Sequence, residues 1–217
     1  SGTFIVENHY LKDIVEKVQF DSFYHEHLRT YSLKSLIILM KYYKLNIRDA
    51  YTTDRYNGNI QAHFCKDKAV KISKNVNIIL LKEKKSKLDE IITYKNFAKK
   101  IEKAKNDLHN FIIKNPNLKI IGKAYPARAS VILNYFSFLK QRVGYIAEQP
   151  TSLKINNYIS GTNIKIVDSK NIKKTKPDVI IIFAWHMFKE IMNKWKSKKL
   201  PKKTKFILIL HKFKIFK

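Results

Sequence analysis

The chain is short of cysteine, glycine and acid. Its single cysteine, Cys65, stands among 217 residues. It can form no internal disulfide and cannot on its own build a zinc site, which fits a reducing, cytoplasmic setting. Five glycines are present. None forms the G-x-G-x-[GA] pattern after a strand that lets backbone amides close on a phosphate. No apolar run approaches the roughly 18–20 residues of a membrane span; Ile78 to Leu81 and Val179 to Phe183 are strand-length. No secretory signal precedes the first motif. The sequence opens on Ser1 and passes at once into a strand-like run, Thr3 to Val6, so it is read as a fragment of a longer protein.

Seventeen acidic residues against 44 lysines and arginines leave a formal charge of +27. Such a surface attracts phosphates. The basic residues are nearly all lysine and are spread along the whole chain rather than gathered in one stripe. With no zinc-finger spacing, no RNP-like aromatic strand and no arginine-loaded helix, specific nucleic-acid binding is not expected.

What is concentrated is proton-handling chemistry. Phe20-Asp21-Ser22-Phe23-Tyr24-His25-Glu26-His27 puts a phenol, two imidazoles and a carboxylate into the four consecutive positions Tyr24 to His27. Two imidazoles flanking a glutamate can hold one histidine in a chosen tautomer, while the carboxylate stabilises its protonated form. The same run also suits a polar surface loop. If the stretch is extended, His25 points away from its neighbours and is structural. His9, His63, His109 and His211 lack metal-ligand spacing, and no metal site is expected.

Element signals divide the chain. A strand is read at Thr3 to Val6 and an amphipathic stretch at Tyr10 to Val18. A helix capped by Ser32 runs to about Lys44 on the stripe Leu33, Leu36, Ile37 and Met40. Strands at Asn46 to Thr53 and Asn59 to Cys65 flank the turn Asn57-Gly58. Val76 to Leu81 reads as a further strand, and Ser86 to Lys114 as one long helix ended by Asn115-Pro116-Asn117. Beyond it, strands at Leu118 to Gly122, Arg142 to Ala147, Ile164 to Val167, Asp178 to Phe183 and Lys205 to Leu210 alternate with helices at Ala127 to Leu139, Ser169 to Lys174 and Met187 to Trp195. That alternation implies an α/β fold with a parallel sheet covered on both faces. Ligands of such sheets sit at the carboxyl ends of the strands, here the loops Gly122 to Arg128, Glu148 to Gly161 and Ala184 to Phe188.

Taken together, these motifs resemble the sugar C-methyltransferases. Phe20 to Leu28 followed by Tyr31-Ser32-Leu33-Lys34-Ser35-Leu36 resembles that family's FD-x-x-YHEH-L and Y-[FS]-L-x-x-L. Asn57 to Gln61 stands where the family has a GGSLR-like stretch, with Gln61 in place of its arginine. Gly122 to Ala129 resembles GYGAPAKG, with Lys123 and Tyr125 against its Tyr-Gly and Arg128 in place of its lysine. Ser160 to Ile164 resembles PGT-x-I, and Pro177-Asp178 through Ala184-Trp185-His186 resembles PD-hydrophobic run-AWN.

The resemblance implies an S-adenosylmethionine-dependent enzyme acting on a nucleotide-linked keto-sugar. By that reading, residues 1–66 are the end of a class I methyltransferase domain, 67–115 a connecting strand and long helix, and 116–217 a Rossmann-like C-terminal domain. The main binding motif for S-adenosylmethionine and a zinc-binding region then lie outside this chain, in cis or in trans, and the fragment alone is expected to be inactive. The resemblance assigns His27 as general base, Glu26 as a carboxylate that orients a histidine or holds a sugar hydroxyl, and Tyr24 as a hydrogen-bond donor to a developing enolate. It assigns substrate binding to Gly122, Ala127 and Arg128 at the strand-to-helix loop and to Trp185 as a stacking surface. A non-catalytic remnant that still binds nucleotide sugar is the alternative.

Overall fold

The structure is a computed structural model and describes residues 2–196, 201, 203–210 and 213–216; His211 lies outside them. The chain divides into two compact units, Ser1–Lys99 and Lys100–Lys217, with the division inside a long helix.

The first unit opens with β1 (Phe4–His9) and α1 (Leu11–Glu16), then a buried 3₁₀ turn at Phe20–Ser22. α2 (Leu33–Tyr42) begins where its cap was read: the Ser32 Oγ accepts the Ser35 amide at 3.0 Å, and the Ser35 Oγ accepts the Ser32 amide at 2.9 Å. β2 (Asn46–Thr53) and β3 (Asn59–Cys65) form the expected antiparallel pair, and β1 adds to the other side of β3. Strand alternation divides the faces. Ala50, Ile60, Ala62 and Phe64 are buried under α2 and α3 (Lys74–Lys85), while Glu7, Gln61 and His63 lie on the opposite face.

α3 corrects the strand expected at Val76 to Leu81. A short apolar run does not distinguish a buried strand from one side of a helix. Here Val76, Ile79 and Glu83 are buried at helical spacing, while Ile78 and Leu81 are 48% and 60% exposed. The helix expected from Ser86 is also shorter. A turn with Lys87 in the left-handed region (φ 54°) separates α3 from α4 (Ile91–Ile113).

The second unit is α/β, as the alternation implied. β4 (Ile120–Lys123), α5 (Ala129–Tyr135), α6 (Leu139–Arg142), β5 (Val143–Glu148), β6 (Lys165–Asp168), α7 (Ile172–Thr175), β7 (Val179–Ile182), α8 (Phe188–Lys196), β8 (Lys205–Leu208) and β9 (Lys214–Phe216) follow in order. The sheet runs β6-β5-β4-β7-β8-β9, and only β9, absent from the sequence reading, is antiparallel. Counted within the unit, this is the 3-2-1-4-5-6 order of doubly wound sheets, whose ligand crevice lies where the winding reverses. That point is between β4 and β7. β7 is buried along its whole length, as a strand covered on both faces must be. Among the described residues, no helix is long and apolar enough to cross a membrane.

Candidate functional site

The Tyr24–His27 motif follows a fixed platform. Phe20, Asp21 and Ser22 are all buried in the 3₁₀ turn, which sets where the chain emerges. The motif itself is a tight turn closed by the His27 amide on the Tyr24 carbonyl at 2.8 Å, not an extended stretch. The extended geometry from which His25 was set aside is therefore absent; His25 is instead the most solvent-facing of the four, 80% exposed, with its Nε2 4.0 Å from Glu26. The Tyr24 hydroxyl donates to Glu26 Oε2 at 2.8 Å, and the Tyr24 ring meets the His27 ring edge-on at 4.9 Å. The His27 ring stacks on His9, with centroids 4.2 Å apart and planes 29° from parallel.

His9 ends β1, and Tyr56 lies 5.9 Å from it in the β2–β3 turn. That turn holds three successive residues at positive φ, Tyr56, Asn57 and Gly58. Gly58 is required there, since any Cβ would collide with Asp13. Lys17 and Gln19 secure the turn through the Asn57 carbonyl at 2.8 and 3.1 Å.

Gln61, which stands in the family's arginine position, is held within the polar face of the sheet. It accepts from the Tyr51 hydroxyl, lies 3.0 Å from His63 Nε2, and donates to Glu7 Oε2 at 3.2 Å. Hydrogen bonds from Asn59 and Gln61 hold the Glu7 carboxyl below its ordinary value.

In the second unit, Gly122 allows close packing at the end of β4: a Cβ there would meet Phe183 at 2.7 Å and Ile146 at 2.9 Å. The residue that adopts the left-handed conformation is Ala124 (φ 57°), the second step after Gly122. The loop's amides are largely committed within the protein. Tyr125 donates to the buried Glu148 at 2.5 Å, and the Ala129, Ser130 and Val131 amides donate to the carbonyls of Pro126, Ala127 and Arg128. Burial pushes the Tyr125 phenol up to about 12. Arg128 is itself buried, its guanidinium carbon 4.9 Å from the centre of the Trp185 ring. His186 follows, held below the ordinary imidazole value first by burial and then by the Arg128 charge; its Nδ1 has no hydrogen-bond partner.

A cavity of about 200 Å³ opens above the strand ends, lined by Lys123, Gln149, Ser169, Glu190, Lys194 and Trp195 among others. Lys123 is buried there, its ammonium 3.2 Å from the Ala147 carbonyl. The carboxyl ends of β4, β5 and β6 all contribute to it.

Tyr24, Glu26 and His27 are thus gathered in the first unit, and Gly122, Ala127, Arg128 and Trp185 belong to the second, where Arg128 and Trp185 are in contact. The sequence reading missed His9. The signal for it was weak: a single histidine at the last position of a strand, 18 positions before His27.

The model of the family described as the C-methyltransferase C-terminal domain matches residues 55–210. The C-methyltransferase NovU of Streptomyces niveus is 26% identical over 201 residues, covering 90% of this chain and 47% of that protein. The chain therefore spans less than half the length of the curated relative it matches. The Tyr24–His27 motif precedes the residues that the family model covers.

Proposed function

Because the chain belongs to the C-methyltransferase C-terminal domain family, we propose that it is the C-terminal portion of a C-methyltransferase that methylates a carbon beside the ketone of a nucleotide-linked sugar. The observation that carries this reading is the Tyr24–Glu26–His27 arrangement. The Tyr24 ring meets the His27 imidazole edge-on while its hydroxyl fixes the Glu26 carboxylate. Carbon methylation next to a ketone needs a base to remove the acidic C–H and a donor for the enolate oxygen. His27 takes the proton. Tyr24 supplies the donor when its hydroxyl turns from Glu26 to the enolate oxygen. Glu26 is left free to hold a sugar hydroxyl.

For the nucleotide portion, Arg128 supplies charge for a diphosphate and Trp185 a stacking face. Gly122 and Ala127 shape the loop, and the neighbouring cavity has room for part of the ligand. The residues of this chain do not fit the role of holding S-adenosylmethionine. No glycine-rich turn follows β1, whose end is filled by His9 and the buried Tyr10. We assign the methyl donor to polypeptide outside this chain, and the lone buried Cys65 accords with a cytoplasmic setting.

The test is turnover by the full-length gene product against its His27→Ala variant. Loss of methyl transfer with sugar-nucleotide binding kept is the expected result; an unchanged rate removes His27 as the base. A second reading, a module that binds nucleotide sugar without catalysis, is favoured by Gln61, which replaces a fixed charge and is committed to neighbours within the sheet. It predicts sugar-nucleotide binding with no methyl transfer at any pH.

A further inference from the structure

The cavity at the carboxyl ends of β4, β5 and β6 holds about 200 Å³ and is flanked by α8. Cavities that take a whole drug-sized ligand run to roughly 300–1,000 Å³. This one has room for a single ring system rather than for a complete sugar nucleotide.

Its walls are of two kinds. Met187, Ile191 and the buried Trp195 supply apolar surface. An indole wall suits a flat ring, whose faces gain from aromatic contact. The polar groups stand at the strand ends. Ser169, directly after β6, is only 7% exposed, yet its hydroxyl makes no hydrogen bond among the described residues. A buried hydroxyl is costly to leave unmatched. The Gln149 side-chain amide, directly after β5, also makes no hydrogen bond among the described residues, and it can both donate and accept. Donors and acceptors at the rim of an apolar slot match the edge and faces of a nucleobase.

An anion fits the same walls poorly. Lys194 pairs with Glu190 at 2.8 Å, which puts a carboxylate on the lining. Lys123 donates to the Ala147 carbonyl at 3.2 Å, with its ammonium 5.8 Å from the centre of the Trp195 ring.

The cavity adjoins the loop assigned to the diphosphate. Lys123 stands between Gly122 and Ala124 at the head of that loop and also lines the cavity. Glu148, the last residue of β5, accepts the Tyr125 amide of the loop at 2.5 Å and is followed by Gln149 of the cavity. In doubly wound nucleotide sites the diphosphate lies at the turn after the first strand, and an acid further along the chain meets the ribose. β4 and β5 are the first and second strands of this unit, so a ribose at Glu148 directs the base into the cavity.

We infer that the cavity is the nucleobase pocket of the second unit: Trp195 and Ile191 pack against the ring, and Ser169 and Gln149 read its edge. The inference rests on the reading of this unit as a sugar-nucleotide binder and names the part of the ligand that the cavity holds. Choice between bases then resides in Ser169 and Gln149, because a site whose polar groups the wrong base leaves unmatched loses affinity steeply.

The experiment is calorimetry on this chain at one fixed salt concentration. The ligands are the diphosphates of uridine, thymidine, cytidine, adenosine and guanosine, with inorganic pyrophosphate as the diphosphate that lacks a base. In the wild type, at least one nucleotide should bind about tenfold or more tightly than pyrophosphate. Ser169→Ala should weaken that nucleotide by about three- to tenfold and leave pyrophosphate unchanged. Met187→Trp fills the cavity from a half-buried position and should bring the nucleotide down to the pyrophosphate level. If Met187→Trp fails to fold, Ser169→Ala and the wild-type comparison still decide the matter. Equal affinity for pyrophosphate and the nucleotides, or a nucleotide affinity that no folded variant lowers, overturns the proposal.

The pocket and the readings it rests on fail separately. Nucleotides that bind the wild type tightly but ignore the variants remove the pocket and leave the sugar-nucleotide reading standing. A wild type that binds none of the nucleotides removes both. The His27→Ala assay on the full-length enzyme reports on the base alone, and these titrations need no turnover.

Discussion

The guanidinium of Arg128 lies 4.9 Å from the centre of the Trp185 ring, joining the loop after β4 to the loop after β7. These are the two loops at which the strand order reverses. A planar cation over an indole face is matched poorly by an ammonium on a flexible stem. Arg128→Lys should therefore lower stability by about 1–2 kcal/mol although the formal charge is kept, as read from the urea midpoint. It should also weaken binding of a sugar nucleotide, measured by calorimetry.

His186 sits beside that pair, and its pH behaviour follows in sign. Burial and the Arg128 charge keep its folded-state value below the ordinary 6.5. Below pH 6.5 the unfolded chain takes up a proton that the folded chain refuses, so stability falls as pH drops from there toward the folded value and then levels off. His186→Asn supplies an amide in its place and cannot titrate. Urea midpoints between pH 5 and 7 should decline less in this variant than in the wild type.

Glu83 shows how much a single carboxylate can hold. It projects from α3 and accepts the Leu33 amide at 2.6 Å and the Lys34 amide at 3.1 Å, closing the N-terminus of α2. A negative charge there also suits the helix dipole. Together with burial, it pushes the Tyr10 phenol well above its ordinary value. Glu83→Ala should leave the buried Leu33 amide and the partly buried Lys34 amide unmatched and destabilise the first unit by about 2–4 kcal/mol, measured by urea denaturation.

The loop after β4 makes two opposite predictions. Gly122→Ala should cost about 1–3 kcal/mol, because Phe183 and Ile146 already occupy the space of its Cβ. Ala124→Gly should be neutral or gain up to about 1 kcal/mol, since relief of the left-handed backbone outweighs the added freedom of the unfolded chain. Thermal denaturation of the two variants separates them.

Local chemistry was legible in the sequence. Ser32 caps the helix it was read to cap, and the Asn57-Gly58 turn joins the two strands expected on either side of it. The doubly wound unit could be read because apolar strands and amphipathic helices alternate, each with its own period. Three things were not legible. The run at Val76 suits a strand as well as a helix face until its burial is known. Glu83 reaches amides 49 and 50 positions away. His9 gains its meaning only from a ring brought to it by a later turn. Contacts that depend on long-range closure leave no local pattern to read, and the candidate site consists largely of such contacts.

β1 has one hydrogen-bonded neighbour among the described residues, β3, and near its start Phe4 and Ile5 are half exposed. An open strand edge with apolar side chains is a template for pairing between molecules. Mutual repulsion is what holds such edges apart, and this chain carries a formal charge of +27. Repulsion at that range is screened within about 10 Å at 0.1 M salt. The lysine excess thus acts as a solubility device for the isolated chain, one that is strong in dilute buffer and fades as ionic strength rises.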